Sequence, residues 1–275
     1  MTKLRVLDLF SGIGGFSLGL ERTGGFETVA FCEIEPFPRR VLAKHWPGVP
    51  IYEDVRELTA DTLARDGIGV DVICGGFPCQ DISLAGRRQG LDGERSGLWF
   101  EYARIIGELR PEFVIVENTP GLLSLGMGDV LGDLAALGYD AEWHCIPACY
   151  VGADHIRDRV WIIANHDARH GGDEFRTVEP QGKVGKASAD ALRPGLQRRR
   201  NTRENGDDAG AILPWIGLTR DAAPLISGEH RLHKPVLGRG IHGLPNRVDR
   251  IAALGNAVVP QIPELIGRAI LEARQ

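Results

Sequence analysis

The first 164 residues alternate short β-rich apolar runs with amphipathic stretches, and a chain built this way has few options beyond a parallel sheet covered by helices. Apolar runs bounded by turn residues predict strands at residues 4–10, 28–32, 49–52, 70–75, 113–117, 142–147 and 160–164. Apolar positions at helical spacing predict helices over 15–23, 36–45, 56–65, 97–109 and 128–137, with a last one over 262–273. The expected fold is α/β: one doubly wound, mostly parallel, seven-stranded Rossmann-like sheet. In such sheets ligands bind in the crevice beyond the carboxyl ends of the strands.

From residue 165 the character changes. Gly171-Gly172, Arg198-Arg199-Arg200 and Asn205-Gly206-Asp207-Asp208 sit in a stretch with few large apolar residues, which reads as a linker or a loosely built module. The net charge of -5 is segregated: residues 165–250 carry 15 Lys+Arg against 11 Asp+Glu, a surplus of +4, and the remainder carries -9. A basic segment on an acidic body suits a nucleic-acid binder, and equally suits a polar insert that happens to be rich in arginine. With 275 residues, 43% of them hydrophobic, and five cysteines, a sizeable core is expected and a small disulfide scaffold is excluded. Asp8 interrupts the apolar run that follows Lys3 and Arg5, so no signal peptide is legible. The apolar stretch 251–271 is broken by Asn256, Pro260, Gln261, Pro263, Glu264 and Arg268, so it does not suit hydrocarbon. A cytoplasmic protein with reduced thiols and no membrane association is expected.

Six features carry chemistry. Asp8-Leu-Phe-Ser-Gly-Ile-Gly-Gly15 is a strand ending in a glycine turn that opens a helix, where backbone can approach a ligand closely and helix amides are unpaired. Glu33 follows the second predicted strand, where a carboxylate can accept both hydroxyls of a ribose. Asp54 follows the third in the same way; it suits an adenine amino group or the cap of the helix beginning near Arg56. Gly75-Gly-Phe-Pro-Cys-Gln-Asp-Ile-Ser83 places Cys79 beyond the end of a central strand, as a nucleophile, whereas Cys32 and Cys74 inside strands read as inert buried thiols. Glu117-Asn-Thr-Pro120 ends the next strand, and a glutamate in an apolar crevice can hold a proton near neutral pH. Arg157-Asp-Arg159 adds cations beside the same opening.

These strings resemble the DNA cytosine-5 methyltransferase family of bacteria and phages. The cofactor loop (Asp8–Gly15), the Pro78-Cys79 loop, Glu117-Asn118, Arg157 with Arg159, and the late Gly255-Asn256-Ala257-Val258 occur in the family's order. The resemblance implies S-adenosyl-L-methionine as co-substrate and no metal, with Phe10, Ile13, Gly14, Glu33, Asp54, Val55, Gly76, Pro78, Leu98, Asn256 and Val258 as its contacts. It implies Cys79, Glu117, Arg157 and Arg159 as the catalytic group: Cys79 attacks C6 of a cytosine turned out of duplex DNA, Glu117 serves N3, Arg159 holds the O2 edge, and Arg157 serves the loop or the phosphates.

Residues 80–97, with Arg87, Arg88, Gly90, Gly93 and Arg95, resemble the family's loop that closes over the flipped base, and Arg193, Arg198, Arg199, Arg200 and Arg203 are candidates for phosphate contacts. The implied organisation is a discontinuous catalytic domain, 1–164 plus 245–275, and a small target-recognition segment, 165–244. The implied partner is double-stranded DNA; the chain would be a monomer, with any restriction endonuclease of the same system acting without a stable complex.

Some features depart from the pattern. His155 stands where the family usually has glutamine, and reads as a polar supporting or DNA-facing residue. Gly243-Leu-Pro-Asn-Arg-Val-Asp249 occupies the place of the family's ninth motif without matching it, and 165–244 is short for target recognition. His144, Cys145 and Cys149 fit no structural zinc spacing. Two alternatives are a tRNA cytosine-5 methyltransferase, whose branch has Cys-Phe-Thr where this chain has Gln80-Asp-Ile, and a non-catalytic DNA-binding relative. Amino-methylating enzymes need an Asp/Asn-Pro-Pro-aromatic motif that is not present.

Overall fold

The computed structural model describes residues 2–78, 98–166 and 253–274, and the backbone of 211–213 and 218–219. Strands β1 (Leu4–Leu9), β2 (Phe26–Cys32), β3 (Ile51–Tyr52), β4 (Val72–Gly75), β5 (Phe113–Asn118), β6 (Tyr139–Pro147) and β7 (Asp158–His166) form one sheet in the order β3-β2-β1-β4-β5-β7-β6. The β1–β2, β1–β4, β2–β3 and β4–β5 pairings are parallel, while β7 runs antiparallel to both β5 and β6. The mostly parallel, doubly wound sheet is therefore present. Its helices are α1 (Gly15–Arg22), α2 (Pro36–His45), α3 (Ala60–Arg65), α4 (Leu98–Leu109), α5 (Leu122–Leu125), α6 (Met127–Ala136) and α7 (Gln261–Ala273).

Alternation along β1 divides the core in two. Leu7 and Leu9 join Trp99 and Tyr102 of α4 and Val130 and Leu134 of α6. Leu4 and Val6 join Phe16 and Leu20 of α1 and Ile262, Ile266 and Ile270 of α7. Strands buried on both faces read as continuous apolar runs, which is why they stand out in the sequence. Phe16 meets Trp161 of β7 edge to face, with ring centroids 5.4 Å apart.

Two elements differ from expectation. The helix predicted over 56–65 begins only at Ala60. Ahead of it, the Asp54 carbonyl accepts from the amides of Glu57 and Leu58, closing a separate turn, and Thr59 then caps α3 by accepting from the Thr62 amide at 3.2 Å. The short helix α5 has no counterpart among the predicted elements. Of the segment expected to read the target, 165–244, Asn165 and His166 end β7, and the rest lies outside the described residues except for β8 (Ala211–Leu213) and β9 (Leu218–Thr219), which pair antiparallel.

Helix α7 reaches α1 because α1 is bare where they touch. A Cβ on Gly15 would stand 2.5 Å from the Val258 carbonyl, and one on Gly19 would collide with the Pro260 carbonyl and lie 2.9 Å from Pro263. Backbone cannot yield as a flexible side-chain tip can, so this approach is open only to glycine. Gly19→Ala is expected to destabilise the protein by about 2 kcal/mol through overpacking, read as a lowered midpoint in urea unfolding.

Candidate active site

The carboxyl ends of five parallel strands bring the sequence-predicted residues to one edge. Phe10 leaves β1 at φ 52°, a left-handed conformation rare for an aromatic residue, and its ring stacks on Tyr102 at 6.2 Å. The loop it begins is held from β2. Glu33, only 8% exposed, accepts from the Gly12 amide through Oε2 at 2.7 Å and from the Glu35 amide through Oε1 at 2.8 Å. Burial pushes the Glu33 carboxyl up from its ordinary range, against the pull of those two amides. Each oxygen spends one lone pair on backbone, so acceptor capacity remains for a diol. The next residue, Ile34, is an exposed apolar side chain at the same edge.

Asp54 closes a local turn just after β3. Its carboxylate accepts from the Arg56 amide at 2.9 Å and pairs with the Arg56 guanidinium, which holds it below the usual carboxylate range. Val55 is buried beside it. Ile13 and Pro78 are half-buried, as is Leu98 at the start of α4. Late in the chain, Asn256 is exposed, while Val258 packs partly buried against the α1–α7 core beside Gly15.

The second half of the edge is built by β4, β5 and β7. In the β5–β7 ladder Glu117 faces Trp161 and Asn118 faces Val160, which puts the start of β7 beside the end of β5. Arg159 Nε lies 2.8 Å from Glu117 Oε1, with side chains 21% and 13% exposed. Burial pushes the Glu117 carboxyl up, while Arg159 and then Arg157 pull it down. Gly76 makes room for this carboxylate: a Cβ there would sit 2.8 Å from Glu117 Oε2. Asn118, 2% exposed, donates through Nδ2 to the Phe77 carbonyl at 3.2 Å. That bond fixes the backbone leading into Pro78, a role the sequence did not reveal. Phe77 is itself packed on Trp99, centroids 5.4 Å apart.

Arg157, at φ 31°, donates to the Gly255 carbonyl at 2.6 Å and so ties the β7 approach to the late Gly-Asn motif. His155 is exposed. Cys79 and the arginines of 80–97 and 193–203 lie outside the described residues. Cys32 and Cys74 are buried, and burial pushes their thiols up, Cys32 to about 12, as expected of inert cysteines. Among the described residues no group of three His, Cys, Asp or Glu is disposed to hold a metal ion, and no helix is long and apolar enough to cross a membrane.

This arrangement has counterparts among known proteins. A family model for C-5 cytosine-specific DNA methylases matches residues 4–206. The Type II methyltransferase M2.BsuMI of Bacillus subtilis is 37% identical over 170 residues, covering 59% of this chain and 42% of that protein. The Type II methyltransferase M.Eco47II of Escherichia coli is 30% identical over 257 residues, covering 88% of this chain and 60% of that protein. The chain thus spans between 42% and 60% of the length of these two relatives. The crystal structure of a Spodoptera frugiperda DNMT2 mutant superposes with a TM-score of 0.51 at 20% identity, over 64% of this chain and 54% of that one, a likeness of fold. Matched by the family model over most of its length, the chain belongs to the C-5 cytosine-specific DNA methylases.

Proposed function

We propose that this protein transfers a methyl group from S-adenosylmethionine to C5 of a cytosine flipped out of duplex DNA. The observation that carries the reading is the Glu117–Arg159 pair at 2.8 Å, set at the strand edge next to the Pro78 loop that Asn118 anchors. Family membership supplies the reaction class, and the Type II names of the relatives suit a restriction-modification setting.

The residues fit the co-substrate. Glu33 offers a diol its remaining lone pairs, the glycine turn offers backbone amides at the start of α1, and Phe10, Ile13, Val55, Pro78, Leu98 and Val258 offer apolar surface. When bound there, S-adenosylmethionine supplies an electrophilic methyl group on its sulfonium.

Cytosine C5 is too weak a nucleophile to accept that methyl unaided. The Cys79 thiolate forms a bond to C6, and the displaced π electrons move through the ring as N3 takes a proton from Glu117, leaving C5 enamine-like. Once C5 carries the methyl, its proton leaves to a base, the C6–sulfur bond breaks and the C5–C6 double bond returns. Arg159, already on Glu117, is placed to serve the same ring at its O2 edge. Arg157 acts at a distance, holding the Gly255 carbonyl beside Asn256. Rotating a base from the stack costs a few kcal/mol, which phosphate contacts from the basic segment 165–250 are suited to offset.

Cys79→Ala is expected to abolish methyl transfer while S-adenosylmethionine binding persists. A duplex carrying 5-fluorocytosine at the target is expected to trap a covalent adduct at Cys79, seen as a mass shift on that peptide, because fluorine cannot leave as a proton. The recognition sequence is read by bisulfite sequencing of DNA from cells expressing the chain, and cytosines there that stay unmethylated overturn the proposal.

The raised pKa of Glu117 keeps it protonated to higher pH than a free glutamate, so its contribution as an acid is present at low pH and lost as pH rises through its folded value. The turnover rate is expected to fall on that alkaline limb. In Glu117→Gln the limb is expected to disappear, with kcat reduced by about 100-fold or more in a pH–rate profile.

A further inference from the structure

Helix α1 begins at a residue that cannot cap it. Gly14, its N-cap, has no side chain, lies at φ 82°, and is followed by a first turn without an acid. The first amides of a helix nevertheless need acceptors. One comes from the strand below: Asp8 Oδ2 accepts from the Ser17 hydroxyl at 2.7 Å and from the Ser17 amide at 3.3 Å. Ser17 is the third residue of α1, the position whose amide an N-cap side chain ordinarily serves.

Asp8 and Ser17 are both 0% exposed, and they bracket the stretch that carries Phe10, Ile13 and Gly14. Their bond therefore closes the base of the loop. A second tie works beside it: the Ser11 hydroxyl donates to the Asp8 carbonyl at 2.5 Å and accepts from the Cys32 amide at 3.2 Å, fastening the loop to the end of β2.

Among the described residues no cation interacts with Asp8 to justify its burial. It lies on the apolar α1–α7 face, opposite Cys74 of β4, whose thiol is a weak donor. Its other oxygen, Oδ1, is buried without a full hydrogen bond. Glu33, Cys74 and Tyr102 are the titratable groups that interact with it. Burial pushes its carboxyl up to about 8, against the Ser17 bonds, so near neutral pH it is largely the uncharged acid. A group kept at such cost is kept for its geometry.

We infer that Asp8 is a positioning residue of the cofactor loop: as a strand-borne cap bonded to Ser17, it holds residues 9–16 in the shape that receives S-adenosylmethionine, through the acceptor oxygen it offers Ser17. This rests on the reading that the loop binds S-adenosylmethionine. Asp8 touches no substrate. It acts through Ser17 and the glycine turn.

The test is calorimetric titration of the full chain with S-adenosylmethionine, alongside the KM for DNA, in wild type, Asp8→Asn, Asp8→Ala and Ser17→Ala. Asparagine keeps the acceptor, so Asp8→Asn is expected to bind within about threefold of wild type. Asp8→Ala is expected to weaken binding roughly tenfold, with the KM for DNA unchanged. Ser17→Ala, which keeps the backbone bond, is expected to fall between them and stands in where Asp8→Ala fails to fold. Wild-type affinity in Asp8→Ala, or in Ser17→Ala in its stead, overturns the role. So does an Asp8→Asn as weak as Asp8→Ala, or a KM for DNA that rises in step with the loss of cofactor binding. A wild-type chain that binds no S-adenosylmethionine overturns the functional reading, and this role with it.

Discussion

Because β7 runs antiparallel to β5, its first residues arrive at the carboxyl edge where the parallel strands end, and a cation at the start of β7 meets the carboxylate leaving β5. Everything chemical in the site hangs on that meeting. A buried glutamate without a fixed positive partner would simply protonate and lose definition; with Arg159 at 2.8 Å it is held in place and in contact with a group of opposite tendency. The same edge then receives the Phe77–Pro78 backbone through Asn118, so carboxylate, cation and the approach to the proposed nucleophile share one frame.

The binding half of the edge follows a different economy. Glu33 is tied to backbone amides on both oxygens, which orients it without exhausting it. Asp8 is tied to Ser17 and buried on an apolar face, which orients the loop from beneath. Two carboxyls with raised pKa values thus interact with each other, and each accepts from an amide of the segment that carries the glycine turn.

Much of this was legible beforehand, and the reasons differ by element. The central strands announced themselves because burial on both faces leaves uninterrupted apolar runs such as Val70–Cys74. Strand direction did not, since an apolar run reads alike in both senses, and the reversal of β7 came only with the ladder. Helix α3 was drawn four residues too early because Asp54 and Thr59 are both capping residues, and periodicity does not say which of two starts is used. Glu33 and Glu117 stand out in the sequence by their places at strand ends, and Arg157 with Arg159 as cations just before the last strand. Asn118 was quoted but its bond to Phe77 was not foreseen, because a donor to a carbonyl 41 residues away leaves no local pattern. Asp8 stands in the predicted strand 4–10 at the head of the glycine string, and only the packed structure reveals it as interior.

The contact of α1 with the Val258–Pro263 segment joins positions about 240 residues apart, and the entropy of closing so long a loop is repaid only when both partners exist. Phe16 and Leu20 therefore keep part of their apolar faces uncovered until residues 258–270 have been made and can fold back. A nascent polypeptide has its strands and its glutamates earlier, yet lacks the wall that Val258 lends to the glycine loop.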